Sequence, residues 1–173
     1  MTDALHQEFL HCSIERLRLC HGRIASCLEK LTGEQIWARG GANENAIGNL
    51  VLHLCGNVRQ WIISGVGGAP DARQRDQEFA ARGGMEVAEL AEKLRATVDE
   101  AAEVLAQVSA ARLMEPLTIQ GYQATGMAAI YHVVEHFSGH TGQIIFATKM
   151  LTGDDLGFYR HLSRSAAHSE KTP

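Results

Sequence analysis

Four stretches of the chain return an apolar residue every three or four positions, and a period sustained that long leaves little room for any architecture but packed helices. Over residues 5–31 the repeat runs Leu5, Phe9, Cys12, Leu17, Cys20, Ile24, Cys27, Leu28 and Leu31, and Thr32-Gly33 supplies a stop signal. The second stretch covers 47–63, with Asn45 placed to cap it. The third, 85–108, carries Val87, Leu90, Leu94, Val98, Ala101, Leu105 and Val108 opposite an acidic face. The fourth, 126–151, follows Thr125 as a cap. The expected fold is all-α, a four-helix bundle over residues 1–152 with a tail at 153–173.

The connections are long, roughly 15 to 20 residues after each of the first three helices, and loops of that length in small domains tend to carry function. The segment DARQRDQEFAARGG has no periodicity and reads as a loop holding at most one helical turn. Its Arg73, Arg75, Asp76 and Glu78 read as a solvated group whose carboxylates largely cancel its arginines, with binding of an anionic thiol cofactor as the alternative. LTIQGYQAT reads as a short hairpin or extended loop around Gly121.

A hydrophobic fraction of 45% with only three prolines fits a folded chain, and 173 residues fit one domain. The net charge of −4 is spread without a basic face, which argues against nucleic acid as a partner. No run approaches the roughly 18 apolar residues of a membrane span, and no early apolar core resembles a signal peptide, so a cytoplasmic location is expected. Cys12, Cys20 and Cys27 lie about 10 to 12 Å apart along one helix, too far to bridge, and are expected as small core residues.

YHVVEHFSGHTGQI sets His132, His136 and His140 at four-residue intervals. Residues four apart differ by about 40° in azimuth, so His136 and His140 leave one face and can reach one ion. A third ligand has to come from another helix, and His53 in NLVLHLCGN is the candidate. His132 lies about 80° from His140 and suits a supporting role. Gln143 could orient a ligand or bound water, and Asn57, one turn after His53, could bond across the bundle. Glu135 lies about 100° from His136 and suits a partner on another helix better than the ion. Trp61 is a pocket wall or a core residue. The alternative, a bundle whose histidines are simply hydrogen-bonded core residues, stays open at this level.

Two other metal patterns are absent. HFSGH lacks the glutamate of HExxH, so it supplies no zincin base. Glu-x-x-His occurs at Glu8–His11 without the second copy a di-iron bundle needs.

Together, NAIGNLVLHLCGNVRQWI, RQRDQEF and HVVEHFSGHTGQI resemble the DinB/YfiT-like superfamily. The resemblance implies a four-helix bundle, often a homodimer, in which His53, His136 and His140 hold a divalent metal such as zinc or nickel. It also implies chemistry with low-molecular-weight thiols, since the characterised branches include thiol S-transferases and a mycothiol-dependent maleylpyruvate isomerase. The expectation is therefore a metal-dependent thiol transferase or hydrolase acting on a small electrophilic substrate. The alternative is a non-catalytic metal-binding or stress-response module. Thr141 stands where arginine often precedes Gly-Gln, and Gly139 removes bulk beside the metal face.

Overall fold

The computed structural model describes residues 2–162. Its helices are α1 (Thr2–Leu28), α2 (Gly33–Trp37), α3 (Ile47–Val58), α4 (Arg75–Ala80), α5 (Val87–Ala106), α6 (Ala110–Met114) and α7 (Gly126–Thr152). A π-helical segment, Arg59–Val66, continues α3 without a break, and strands β1 (Pro116–Ile119) and β2 (Tyr122–Thr125) precede α7. The four-helix bundle is built by α1, α3, α5 and α7. Both α1 and α3 pack against α5 and α7, so the inward stripes of all four meet in one core. Leu17, Ile24 and Leu28 meet Leu54, Ile62, Leu90, Leu94, Leu105, Ile130, Phe137 and Ile144 there, each under 2% exposed. Burial of such side chains stabilises by about 1.5–3 kcal/mol apiece before entropy is counted.

Several local expectations need correction. Cys12 is exposed, its thiol donating to Glu8 at 3.3 Å, whereas Cys20 and Cys27 are core residues. The inward stripe of α1 is Leu10, Ser13, Leu17, Cys20, Ile24 and Cys27, and Cys12 stands about 100° from Ser13, off that stripe. Leu5 is likewise exposed. The helix stops at Leu28, and Thr32 caps α2, accepting from the Gln35 amide while the Gln35 side chain accepts from the Thr32 amide. Asn45 is exposed; the residue preceding α3 is Ala46, whose N–H is taken by the Asn49 side chain at 3.1 Å.

The 116–125 segment forms an antiparallel hairpin pairing Pro116 with Thr125 and Ile119 with Tyr122. Positive φ at both Gln120 (54°) and Gly121 (79°) gives the tight turn that matches strand twist. Past α7, residues 153–162 fold back on α1. The Lys30 ammonium meets Asp154 at 3.0 Å, and the Arg23 guanidinium lies 5.6 and 5.4 Å from the rings of Phe158 and Tyr159. The rest of the expected tail, 163–173, lies outside the described residues. No helix among the described residues is long and apolar enough to cross a membrane.

The entry to α3 depends on a close approach. A Cβ on Gly48 would come within 2.8 Å of the Trp37 ring, which is itself fixed by donating to the Met85 carbonyl at 3.1 Å. Gly48→Ala is expected to destabilise the protein by about 1–3 kcal/mol through overpacking. Gly142→Ala on α7, where a Cβ meets nothing within 4 Å, should instead be neutral or stabilise by up to about 1 kcal/mol. Urea denaturation of the two variants checks both signs.

Candidate metal centre

His53 projects from the core side of α3 and is 5% exposed. His136 and His140 come from successive turns of α7 and meet it across the helix interface. The Nε2 atoms of His53 and His136 are 3.1 Å apart, and those of His136 and His140 are 3.2 Å apart. One donor atom from each ring lies within 4.8 Å of the other two. Two nitrogens bound to one ion at about 2.0–2.1 Å with near-tetrahedral angles lie roughly 3.3 Å apart, so the spacing is that of a ligand set.

The outer nitrogens fix which way two of the rings face. Glu78, an ionised carboxylate, can only accept, so its Oε2 at 3.0 Å from His53 Nδ1 takes the proton of that nitrogen, while Arg73 Nη2, 3.1 Å from Nδ1, directs its hydrogen to Glu78 Oε2 at 2.8 Å. His140 Nδ1–H donates to Gln143 Oε1 at 2.7 Å. Both rings therefore point an Nε2 lone pair at the same place, where a proton cannot satisfy all three nitrogens and a cation can. His136 Nδ1 is buried and has no hydrogen-bond partner among the described residues. The donor set therefore fits a divalent ion.

A relay of charge behind His53 keeps this arrangement. Arg73 donates from Nε to Glu78 Oε1 and from Nη2 to Glu78 Oε2, both at 2.8 Å, in a bidentate pair. Its Nη1 donates to Gln60 at 3.0 Å, and Gln60 donates onward to Asp71 at 2.7 Å. Burial pushes the Glu78 carboxyl up, but hydrogen bonds from Arg73 and His53, with their charges, outweigh it and hold the pKa below the usual range. Burial and the neighbouring imidazoles push His136 down to about 3. Burial also lowers His140, against the opposing hydrogen bond to Gln143. Both rings are neutral, ligand-ready bases at pH 7.

Glu78 reaches His53 because α4 is latched onto α3. The Asn49 side chain donates to the carbonyls of Glu78 (2.8 Å) and Ala81 (2.9 Å). Arg39 donates to Phe79 and Ala81 at 3.1 and 3.2 Å. Gly56, one turn after Leu52 on α3, has no side chain to obstruct the carboxylate: a Cβ there would collide with Glu78 Oε1 and lie 2.9 Å from Arg73 Nε.

On the open side lies a cavity of about 420 Å³, bordered by His53, His136 and His132, by Asn57 and Trp61, and by the hairpin and Arg75. His132 stands beside the trio: its ring is 4.4 Å from Trp61 and its Nε2 is 3.5 Å from Asn57 Nδ2. Glu135 is exposed, and its charge acts on His132, raising a pKa that burial lowers on balance. The structure thus gathers His53, His136 and His140 about one point, sets Gln143 behind His140 and His132 and Asn57 at the margin, and leaves Glu135 outside. Sequence reasoning missed Arg73, Glu78 and Gln60. The Arg73–Glu78 group is a buried clamp, with side chains 4% and 10% exposed, where a solvated loop was expected. The trace of it in the sequence is Gly56, a residue without a side chain in the helix that carries His53.

A family model described as "Protein of unknown function (DUF1572)" matches residues 4–165. The chain belongs to this DinB-like family. Solved structures place DUF1572 within the same fold. A conserved protein from Enterococcus faecalis superposes with a TM-score of 0.71 at 16% identity, covering 83% of this chain and 97% of that one. The DinB-like protein YjoA of Bacillus subtilis gives 0.66 at 15% identity, over 85% and 96%. A DinB-like protein from Bacillus cereus gives 0.62 at 16% identity, over 76% and 85%. No curated protein matches the chain.

Glu78→Gln leaves the Arg73 guanidinium buried without its counter-charge and is expected to cost about 3–5 kcal/mol. Gly56→Ala keeps every charge but displaces the carboxylate. It should shift the tautomer balance of His53 away from Nδ1–H, read by long-range ¹H–¹⁵N correlation of the imidazole. An unchanged His53 tautomer in both variants would refute the relay.

Proposed function

We propose that this DUF1572 protein is a metal-dependent enzyme in which His53, His136 and His140 hold one zinc or nickel ion. The reaction is addition of a thiol, or of water, to a small electrophile. The observation that carries the reading is the convergence of three Nε2 atoms beside an open cavity, with two tautomers fixed from behind. A divalent ion bound there would favour the anionic, nucleophilic form of a coordinated thiol or water.

The chain's own residues account for the rest. Glu78 and Gln143 orient the rings of His53 and His140, and Arg73 holds Glu78 charged. His132, kept neutral by burial, borders the cavity as a proton acceptor. Three of the protein's four cysteines are held in the thiol form. Cys55 is buried with its thiol pushed up to about 11, and burial also pushes up Cys27. Cys12 is pushed up by its hydrogen bond to Glu8. In this reading the thiol is a low-molecular-weight co-substrate, as the family resemblance implies.

Protein purified with supplemented metal is expected to hold close to one ion per chain by elemental analysis. His53→Ala and His136→Ala should lose it, and Gln143→Ala should weaken binding by about 10- to 100-fold. Metal in none of the preparations would sink the assignment. Incubation of the loaded protein with glutathione, bacillithiol or mycothiol and a chromogenic electrophile should then give metal-dependent adduct that His132→Ala slows without losing the ion. Stoichiometric metal with no adduct or hydrolysis would favour the non-catalytic binding module.

The reading includes a homodimer. Tyr131, Phe146 and Met150 on the outer face of α7 are 65%, 68% and 71% exposed, apolar surface that a second copy would cover. Sedimentation should give the mass of two chains, and Phe146→Glu should give one.

A further inference from the structure

The walls of the cavity beside the histidines differ sharply in chemistry. One wall is aromatic: the Trp61 indole, with His132 tilted against it at 4.4 Å and the Tyr122 ring 6.4 Å away. The rest of the lining includes the cationic Arg75 and, from the hairpin, the polar Gln120 and Gln123. No carboxylate borders the space, although acidic residues outnumber basic ones in the chain as a whole. Of the two arginines at the cavity, Arg73 is committed to Glu78. Arg75 is exposed and rests over the Phe79 ring at 4.9 Å, a contact that places its charge without neutralising it.

Two polar atoms in this wall also want partners. Trp61 Nε1–H and Asn57 Oδ1 are buried, on residues 6% and 4% exposed, and neither has a hydrogen-bond partner among the described residues. Protein interiors seldom leave such groups unpaired, so this wall carries polar character beneath its flat aromatic surface. The backbone reinforces this. Trp61 and Gln60 both lie on the π-helical segment, a rare geometry that recurs at functional sites, and both are turned inward from it: Trp61 to the cavity and Gln60 to Arg73.

We propose that the cavity binds a small planar organic anion, a carboxylate carried on an aromatic or conjugated body. The flat body stacks on Trp61 and Tyr122, the carboxylate pairs with Arg75, and the remaining end faces the three imidazoles. A volume of about 420 Å³ is at the lower end of the range for small-molecule sites and suits a single-ring acid with a short side chain. The proposal rests on the metal-centre reading for what happens to the ligand, but not for whether it binds.

Calorimetric titration of the metal-loaded protein with trans-cinnamate, its neutral amide cinnamamide, and the saturated analogue cyclohexanepropionate tests this. Cinnamate should bind about tenfold or more tighter than cinnamamide, the difference expected of a charge-assisted hydrogen bond. It should also bind about two- to tenfold tighter than cyclohexanepropionate, as ring stacking supplies. Arg75→Gln should erase the preference over the amide, and Tyr122→Leu should shrink the preference over the saturated acid. Both residues are exposed, so neither variant threatens the fold, and metal content should not change. Equal affinity for cinnamate and cinnamamide, insensitivity to Arg75→Gln, or no binding of any probe overturns the proposal. Metal occupancy measured on the same samples separates the two ideas. Loaded protein that ignores all three probes leaves the metal centre standing, whereas cinnamate binding that depends on Arg75 in protein without metal leaves the anion site standing.

Discussion

The carboxylate of Glu78 lies between a guanidinium and an imidazole in a region almost closed to water, and the rest of the site depends on that placement. Without Arg73, burial would favour its neutral form, and a protonated Glu78 would no longer require the proton on His53 Nδ1. With Arg73 in a bidentate pair, Glu78 stays charged and His53 presents its lone pair toward α7. The backbone serves the same end. Asn49 and Arg39 bind the carbonyls around α4, and Gly56 leaves room for the carboxylate against α3.

The bundle supplies what this relay cannot. His136 and His140 owe their common direction to helix geometry alone, but their distance from His53 is set by the packing of α3 against α7 through the core around Leu54, Ile130 and Phe137. That packing also keeps water from the rings, which is why His136 remains neutral far into the acid range. The same bundle leaves one side open. The hairpin and α4 border the opening, so the long connections anticipated as functional do frame the candidate site.

The helical order, and membership of a DinB-like family, were legible from periodicity, caps and the three motif segments, because each is a local property of contiguous residues. A hairpin or extended loop around Gly121 and the cap at Thr125 were legible for the same reason, and the structure selects the hairpin. The errors have two causes. Cys12 was assigned to the core because its apolar character was counted without the azimuth of the stripe that is buried in α1. Arg73 and Glu78 looked like solvated charges because nothing local shows that their loop folds over a glycine in another helix.

By itself, then, the sequence determined four amphipathic helices and a pair of imidazoles one turn apart, since the 3.6-residue period ties side-chain direction to position. Only the tertiary structure decided that His53 faces that pair, at hydrogen-bond distance from His136, that Glu78 and Arg73 stand behind it, and that an aromatic wall and one uncommitted arginine border the opening. Those relations join residues up to 87 positions apart, and they are set by which faces exclude water together in three dimensions.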